Sequence, residues 1–142
     1  MVKPINRYID LALEKAKINI GSTKTNPSVG CVVERNNTIL SSGSTSIGGR
    51  PHAEYNALNK SINFKNSNLY VTLEPCSHIG KTPPCTNIII KKKIKRVYFS
   101  IKDPNPITQG KSFKILKNNG VKVFTKFNKT KLTNFYKSYF NQ

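Results

Sequence analysis

The sequence contains few of the residues that usually carry enzyme chemistry. Its 142 residues include three cysteines, two histidines and six carboxylates, against 24 lysines and arginines. Three cysteines are too few for the disulfide framework of a small secreted domain, and no segment approaches the roughly 20 apolar residues that a membrane span requires. No G-x-G-x-x-G fingerprint for a dinucleotide occurs. We therefore expect one reduced, cytoplasmic domain over residues 1–142, without a membrane segment.

The large excess of positive charge has a compositional explanation. The formal net charge is +18, yet lysines outnumber arginines 20 to 4, and Lys, Asn and Ile together make up 52 of the 142 residues. Such a composition is typical of coding sequences rich in A and T, whereas arginine is the usual choice for recognising phosphates and bases. The lysines are also scattered along the chain. We interpret the charge as a solvated surface and do not expect a nucleic-acid partner.

Both histidines and two of the cysteines fall within residues 51–85. One imidazole and two thiolates, here His52, Cys76 and Cys85, can bind zinc at three corners of a tetrahedron and leave the fourth for water, as catalytic sites do. A closed structural site would need a fourth ligand, for which only Cys31 and His78 remain. Cys31 lies in an apolar strand, where a free cysteine is usually a small core residue. For His78 we favour a loop or substrate contact over a metal role.

A glutamate follows the first candidate ligand by two residues. Glu54 can meet the metal if a helix begins at Pro51 and points its N-terminus at the zinc, because first-turn side chains lean toward that end. The order H-x-E, then P-C, then a second cysteine is the signature of the zinc-dependent nucleobase deaminases. In that chemistry the metal lowers the pKa of its water and the unligated glutamate shuttles protons. We assign Glu54 this catalytic role.

The spacing of the two cysteines indicates which group of these deaminases the chain resembles. Eight residues separate Cys76 from Cys85, and three further motifs lie in the segments 26–33, 70–78 and 103–106. These features resemble the pyrimidine deaminases of riboflavin biosynthesis, from about the first helix to the end of the chain. The resemblance implies a cytidine-deaminase-like fold, bound zinc and a homo-oligomer. It also implies that 2,5-diamino-6-ribosylamino-4(3H)-pyrimidinone 5′-phosphate is deaminated to 5-amino-6-(5-phosphoribosylamino)uracil, with release of ammonia.

The same resemblance adds substrate contacts that spacing alone does not indicate. Asn and Asp before proline are ordinary turn formers. The family, however, uses the matching residues to hold the pyrimidine and the ribose phosphate, and lysine is a natural phosphate partner. The implied contacts are Asn26, Lys81, Asp103 and Asn105, with His78 as a further candidate. The chain departs from the family at Thr45, where a histidine is usual, and at residues 109–112.

Hydrophobic periodicity predicts the fold. Apolar residues from Ile5 to Ala16 recur at helical spacing, and two β-rich runs joined by Asn36 and Asn37 read as a hairpin. Further strands and helices alternate along the rest of the chain, which favours parallel crossovers. We expect a three-layer α/β/α sandwich with a central mixed sheet of about five strands. The motifs after the third and fourth strands should lie at one edge of this sheet, where ligands of α/β proteins bind.

The positions of the other carboxylates in the sequence indicate structural or surface roles. Glu74 ends a buried strand beside a proline, and we expect it to hold loop backbone rather than to act in chemistry. Glu34, Glu14 and Asp10 read as surface charges.

Two other functions are alternatives to this pyrimidine deaminase. A tRNA adenosine deaminase shares several of these motifs, but it would have two residues between the cysteines. A non-catalytic zinc-stabilised scaffold would have no need of Glu54. In the family that the chain resembles, this domain is often fused to an NADPH-dependent reductase. Since no sequence for binding a dinucleotide is present here, we expect the reductase that acts on the product to be a separate polypeptide or to be missing from this sequence.

Overall fold

A computed structural model describes residues 4–77, 83–103 and 109–140 of the chain, and in these ranges it forms five helices and five strands. The helices are α1 (Pro4–Lys17), α2 (Ala53–Leu58), α3 (Cys85–Lys91), α4 (Lys111–Asn118) and α5 (Thr130–Phe140). The strands are β1 (Gly30–Arg35), β2 (Thr38–Ser44), β3 (Asn68–Val71), β4 (Arg96–Tyr98) and β5 (Lys122–Phe124). Within the described residues, no helix is both long and apolar enough to cross a membrane.

All five strands belong to one mixed sheet, in the order β2-β1-β3-β4-β5. The pairs β1–β2 and β1–β3 are antiparallel, and the pairs β3–β4 and β4–β5 are parallel. The carboxyl ends of β3 and β4 therefore lie at the same edge of the sheet. Because Gly30 pairs with Ser44 and Cys31 with Val71, the connections before β1 and after β2 reach this edge as well. The predicted mixed sheet of about five strands is confirmed.

Helices cover both faces of the sheet, which confirms the three-layer sandwich. Alternate residues of β1 point to opposite faces. Val33 packs in a core cluster with side chains of α2, α3 and α4, whereas its neighbour Val32 packs with α1 and Leu132 of α5. The apolar stripe predicted for α1 is buried as expected, with Tyr8, Ile9, Ala12, Leu13 and Ala16 all facing the sheet side.

The hairpin forms as predicted, but one carboxylate beside it does not lie where we expected. Asn36 and Asn37 have φ values of 53° and 63°, as a tight hairpin turn requires. Glu34, predicted to be a surface charge, is 5% exposed. It follows an irregularity in the β1–β2 register and accepts hydrogen bonds from the Tyr70 hydroxyl, the Asn68 amide and the Asn37 backbone N–H. These three donors compensate its burial.

Helix α2 begins two residues later than predicted. The sequence favoured a start at Pro51, but His52 has extended backbone angles and is the N-cap, so the first helical residue is Ala53. A glycine on β2 allows the helix to lie directly on the sheet: a Cβ at Gly43 would come within 2.2 Å of the Ala53 carbonyl oxygen. The absence of a side chain there brings the first turn of α2 close to the sheet edge.

The C-terminal helix α5 is tied to this same edge. The buried Tyr136 hydroxyl lies 2.6 Å from the Thr72 hydroxyl and donates to the Ser28 carbonyl at 2.8 Å. The Thr72 hydroxyl in turn accepts a bond from the Gly30 backbone N–H at 3.1 Å. One side chain of α5 thus joins the residue after β3 to the segment before β1.

Replacing Tyr136 by phenylalanine should lower the free energy of unfolding by about 1–3 kcal/mol, because two buried polar groups lose a shared partner. The matched control is Tyr55→Phe, since the Tyr55 side chain is 42% exposed, and it should change stability by less than about 0.5 kcal/mol. Urea denaturation at fixed zinc concentration measures both. Equal midpoints for the two variants would contradict the role given to the Tyr136 hydroxyl.

Candidate active site

The three predicted metal ligands converge at the edge of the sheet. His52 Nδ1 lies 3.6 Å from Cys76 Sγ and 3.6 Å from Cys85 Sγ, and all three donor atoms lie within 4.8 Å of one another. A zinc ion about 2.0–2.1 Å from nitrogen and 2.3 Å from sulfur, at tetrahedral angles, would separate such donors by about 3.6 Å. The donor set therefore fits zinc in both chemistry and spacing.

Three different elements present these donors. His52 caps α2, Cys76 lies in the connection after β3, and Cys85 is the first residue of α3. The Cys85 backbone N–H donates to Cys76 Sγ at 3.1 Å. Hydrogen bonds from the Cys85 thiol, His52 and this N–H lower the pKa of Cys76 to about 4. The start of α3 thus supports a thiolate at Cys76, which prepares this residue to bind a cation.

The described residues supply no fourth metal ligand. His52, Cys76 and Cys85 are the only cluster of three or more potential ligands in these parts of the chain. Cys31 is fully buried, its thiol contacts the Ala53 carbonyl at 3.4 Å, and burial raises its pKa well above the usual value. Cys31 is therefore a core residue, as its position in an apolar strand predicted. His78, the other candidate, lies outside the described residues. Three donors are typical of a catalytic site.

Glu54 lies in the first turn of α2, next to this cluster. Its side chain is 3% exposed. Burial raises the pKa of Glu54 to about 7, and the negative charge of Cys76 also raises it while His52 opposes the shift. Glu54 follows the candidate ligand His52 by two residues, although it is not part of the three-residue cluster itself. A buried carboxyl beside a candidate metal site is a typical group for proton transfer.

The described part of the chain contains two of the five predicted substrate contacts. The Asn26 amide donates to the Gly49 carbonyl at 2.9 Å and so joins the connections before β1 and before α2. Asp103 lies after β4, at the carboxyl edge of the sheet. Lys81, Asn105 and His78 lie outside the described residues. Contact of these five residues with a substrate stays a prediction.

Glu74 holds loop backbone, as expected. Its carboxylate is 5% exposed and accepts hydrogen bonds from the Asp103 N–H at 3.0 Å, the Gly110 N–H at 2.9 Å and the Ser112 hydroxyl at 2.7 Å. The sequence indicated the kind of contact but not the partners, which come from the connection after β4 and from the first turn of α4.

Thr45 is the residue whose role the sequence did not reveal. It is 1% exposed, and its hydroxyl accepts a bond from the Val29 N–H at 2.9 Å, while its own N–H donates to the Val29 carbonyl at 2.9 Å. The side chain thus supports the backbone before β1. A hydroxyl residue beside a strand end was the only sequence signal, and it is too common to be informative.

A groove of about 470 Å³ lies between α2 and α3 and reaches the candidate metal centre. Its lining includes His52 and Cys85 at one end and Lys91 and Lys92 at the other. Glu54 is not among the lining residues. The groove therefore borders two of the metal ligands but does not lead to the carboxyl that would transfer protons.

Comparison with known proteins identifies the family. Residues 2–101 match the family model described as the cytidine and deoxycytidylate deaminase zinc-binding region. The chain belongs to this deaminase family. His52, Glu54, Cys76 and Cys85 all lie within the matched residues.

Individual relatives place the chain among the riboflavin-biosynthesis deaminases of this family. It is 44% identical over 119 residues to the diaminohydroxyphosphoribosylamino-pyrimidine deaminase of Buchnera aphidicola subsp. Acyrthosiphon pisum, covering 83% of this chain and 81% of that protein. It is also 44% identical over 119 residues to the riboflavin biosynthesis protein RibD of Bacillus amyloliquefaciens, covering 83% of this chain and 32% of that one. The chain thus spans about a third of this longer relative.

A solved structure supports the same assignment. RibD of Acinetobacter baumannii superposes with a TM-score of 0.90 at 36% identity, covering 96% of this chain and 39% of that one. The cytidine-deaminase-like fold expected from the sequence is confirmed.

Zinc content tests the ligand set. The purified protein should contain one zinc per chain, and Cys76→Ala should lose most of it, because a neutral methyl replaces a ligand thiolate. Cys31→Ala is the matched control, since it removes the buried thiol that lies outside the cluster. Elemental analysis after desalting measures all three proteins. Loss of zinc from Cys31→Ala, or its full retention in Cys76→Ala, would contradict the assignment.

Proposed function

We propose that the protein hydrolytically deaminates 2,5-diamino-6-ribosylamino-4(3H)-pyrimidinone 5′-phosphate to 5-amino-6-(5-phosphoribosylamino)uracil. The observation that carries the proposal is the buried Glu54 beside a three-donor centre of His52, Cys76 and Cys85. The Buchnera relative, which has a similar length, is named as the deaminase alone. That name supports deamination, and not the reduction that follows it, as the step that this chain catalyses in riboflavin biosynthesis.

The chain's residues have separate tasks in the reaction. His52, Cys76 and Cys85 would hold zinc, which when bound supplies a Lewis acid that activates water near neutral pH. Glu54 would accept one proton of the attacking water and pass it to a ring nitrogen. It would later move the second proton, from the new hydroxyl, to the departing amine. A carbon–oxygen bond forms, the carbon–nitrogen bond breaks and ammonia leaves. Burial of Glu54 keeps bulk water from competing for these protons.

Glu54→Gln should reduce turnover by about 10²- to 10⁴-fold while zinc content and fold are kept, because only the proton-transfer group is lost. Glu34→Gln is the control: it removes another buried carboxylate, on the opposite face of the sheet, and should keep most of the activity. Ammonia release from the pyrimidine nucleotide measures both variants. A Glu54→Gln enzyme with the wild-type rate would exclude Glu54 as the base. Ammonia release from tRNA, and none from the pyrimidine nucleotide, would contradict the proposed substrate.

We further propose that Lys81 contacts the substrate phosphate. Lys81→Ala should raise KM for the phosphorylated substrate by about tenfold, because a charge-assisted contact is removed. The effect should shrink for the dephosphorylated nucleoside. Lys129→Ala, which removes an exposed lysine ahead of α5, serves as the control. Steady-state kinetics measures KM for both substrates. An equal increase in the two KM values would show that Lys81 does not contact the phosphate.

Two partner expectations accompany this function. We propose that an NADPH-dependent reductase consumes the product in the cytoplasm and that the chain forms a homo-oligomer. Both proposals rest on the resemblance to the riboflavin-biosynthesis deaminases, whose members include the longer RibD proteins.

A further inference from the structure

Two connections at the sheet edge carry different parts of the candidate site. The connection after β3 contains Cys76, a candidate metal ligand, and the connection after β4 begins near Asp103, a predicted substrate contact. Strand pairing between β3 and β4 ends at Tyr70 and Tyr98. Beyond that pair, the Glu74 N–H donates to the Ile101 carbonyl at 2.8 Å. Past this bond, a side-chain interaction joins the two connections.

The Glu74 side chain supplies that interaction. Oε1 accepts the Asp103 N–H at 3.0 Å, and Oε2 accepts the Gly110 N–H at 2.9 Å and the Ser112 hydroxyl at 2.7 Å. Asp103 and Gly110 lie on either side of the segment 104–109, so one carboxylate holds the backbone at both of its ends. Glu74 itself lies two residues before Cys76. The carboxylate thus fixes the second connection to the same short stretch that presents a metal ligand.

The carboxylate also completes helix α4. Gly110 is the N-cap of α4, has φ of 81°, and offers no capping side chain, and the first turn contains no acidic residue. The N-terminal N–H groups of a helix need acceptors and favour negative charge. Glu74 provides both from a different part of the chain. Ser112, the second residue of the helix, is fully buried against it.

We propose that Glu74 is a positioning residue that fixes Asp103 relative to the metal centre and thereby sets the affinity for the substrate. Glu74 lies outside the ligand cluster and does not act in the chemistry, so its effect should fall on KM more than on kcat. The inference rests on the proposed function, since Asp103 is a predicted substrate contact.

Glu74→Gln tests the role with little change of shape. The amide keeps one acceptor oxygen, but its NH₂ group cannot accept from Gly110 or Ser112. We expect KM for the pyrimidine nucleotide to rise about tenfold with kcat changed less than about threefold, and zinc to stay at one per chain. Ser112→Ala, which removes one donor and leaves the carboxylate, should raise KM by less than about threefold.

Glu34→Gln separates positioning from stability. Glu34 is equally buried and also accepts from three donors, but these donors lie in β3 and the β1–β2 turn. Both Gln variants should lower the urea midpoint by similar amounts, while only Glu74→Gln should raise KM. An unchanged KM in Glu74→Gln would reduce Glu74 to a structural residue, and loss of zinc would show that it acts through Cys76. Either result overturns the proposal.

Amide hydrogen exchange gives a readout that needs no substrate. In Glu74→Gln the N–H groups of Asp103 and Gly110 should exchange at least about tenfold faster than in the wild type, whereas in Glu34→Gln they should not change. Unchanged exchange at both amides would show that the contacts are not made in solution. If the wild-type protein fails to deaminate the nucleotide, the proposed function fails, and the exchange rates still decide whether Glu74 anchors the second connection.

Discussion

The Cys76 sulfur is the atom on which the arrangement of the site depends. It lies 3.6 Å from His52 Nδ1, accepts the Cys85 backbone N–H at 3.1 Å, and belongs to the connection that leaves the central strand β3. The starts of α2 and α3 therefore meet at one atom that the sheet positions. Because that sulfur carries negative charge, two neighbouring helix starts and an imidazole can face it without an unpaired buried group. Removing the thiolate would leave these elements without a shared partner.

Much of this arrangement could be predicted from the sequence because the signals are local. The helical spacing of apolar residues predicted α1, and Asn36–Asn37 predicted the hairpin. Both elements depend on only a few neighbouring residues. The convergence of His52, Cys76 and Cys85 could be predicted for another reason: the chain contains so few histidines and cysteines that there was little choice of donors. The start of α2 was misplaced because its position depends on the fit of Ala53 against Gly43, a contact between distant parts of the chain.

The burial of Glu34 was missed for a similar reason. A glutamate near a strand end, followed by two asparagines, ordinarily faces solvent. Here donors from β3, about 35 positions later, surround it: Asn68 and Tyr70 both bond to Oε1. A stacked row of aromatic rings, including Tyr70 and Tyr98, covers the same side of the sheet. Sequence periodicity reports which face a residue occupies, but it does not report whether the opposite strand offers hydrogen-bond donors. The partners of Glu74 were hidden in the same way.

Half of the six carboxylates in this strongly basic chain are buried, and their contacts assign them different roles. Glu34 and Glu74 each accept from three separate donors, so their charge is satisfied and they serve to hold backbone. Glu54 is buried to a similar degree, but burial and the negative charge of Cys76 raise its pKa to about 7. A buried carboxyl whose pKa lies near neutrality is a typical group for proton transfer, which is the role proposed for Glu54 at the candidate metal centre.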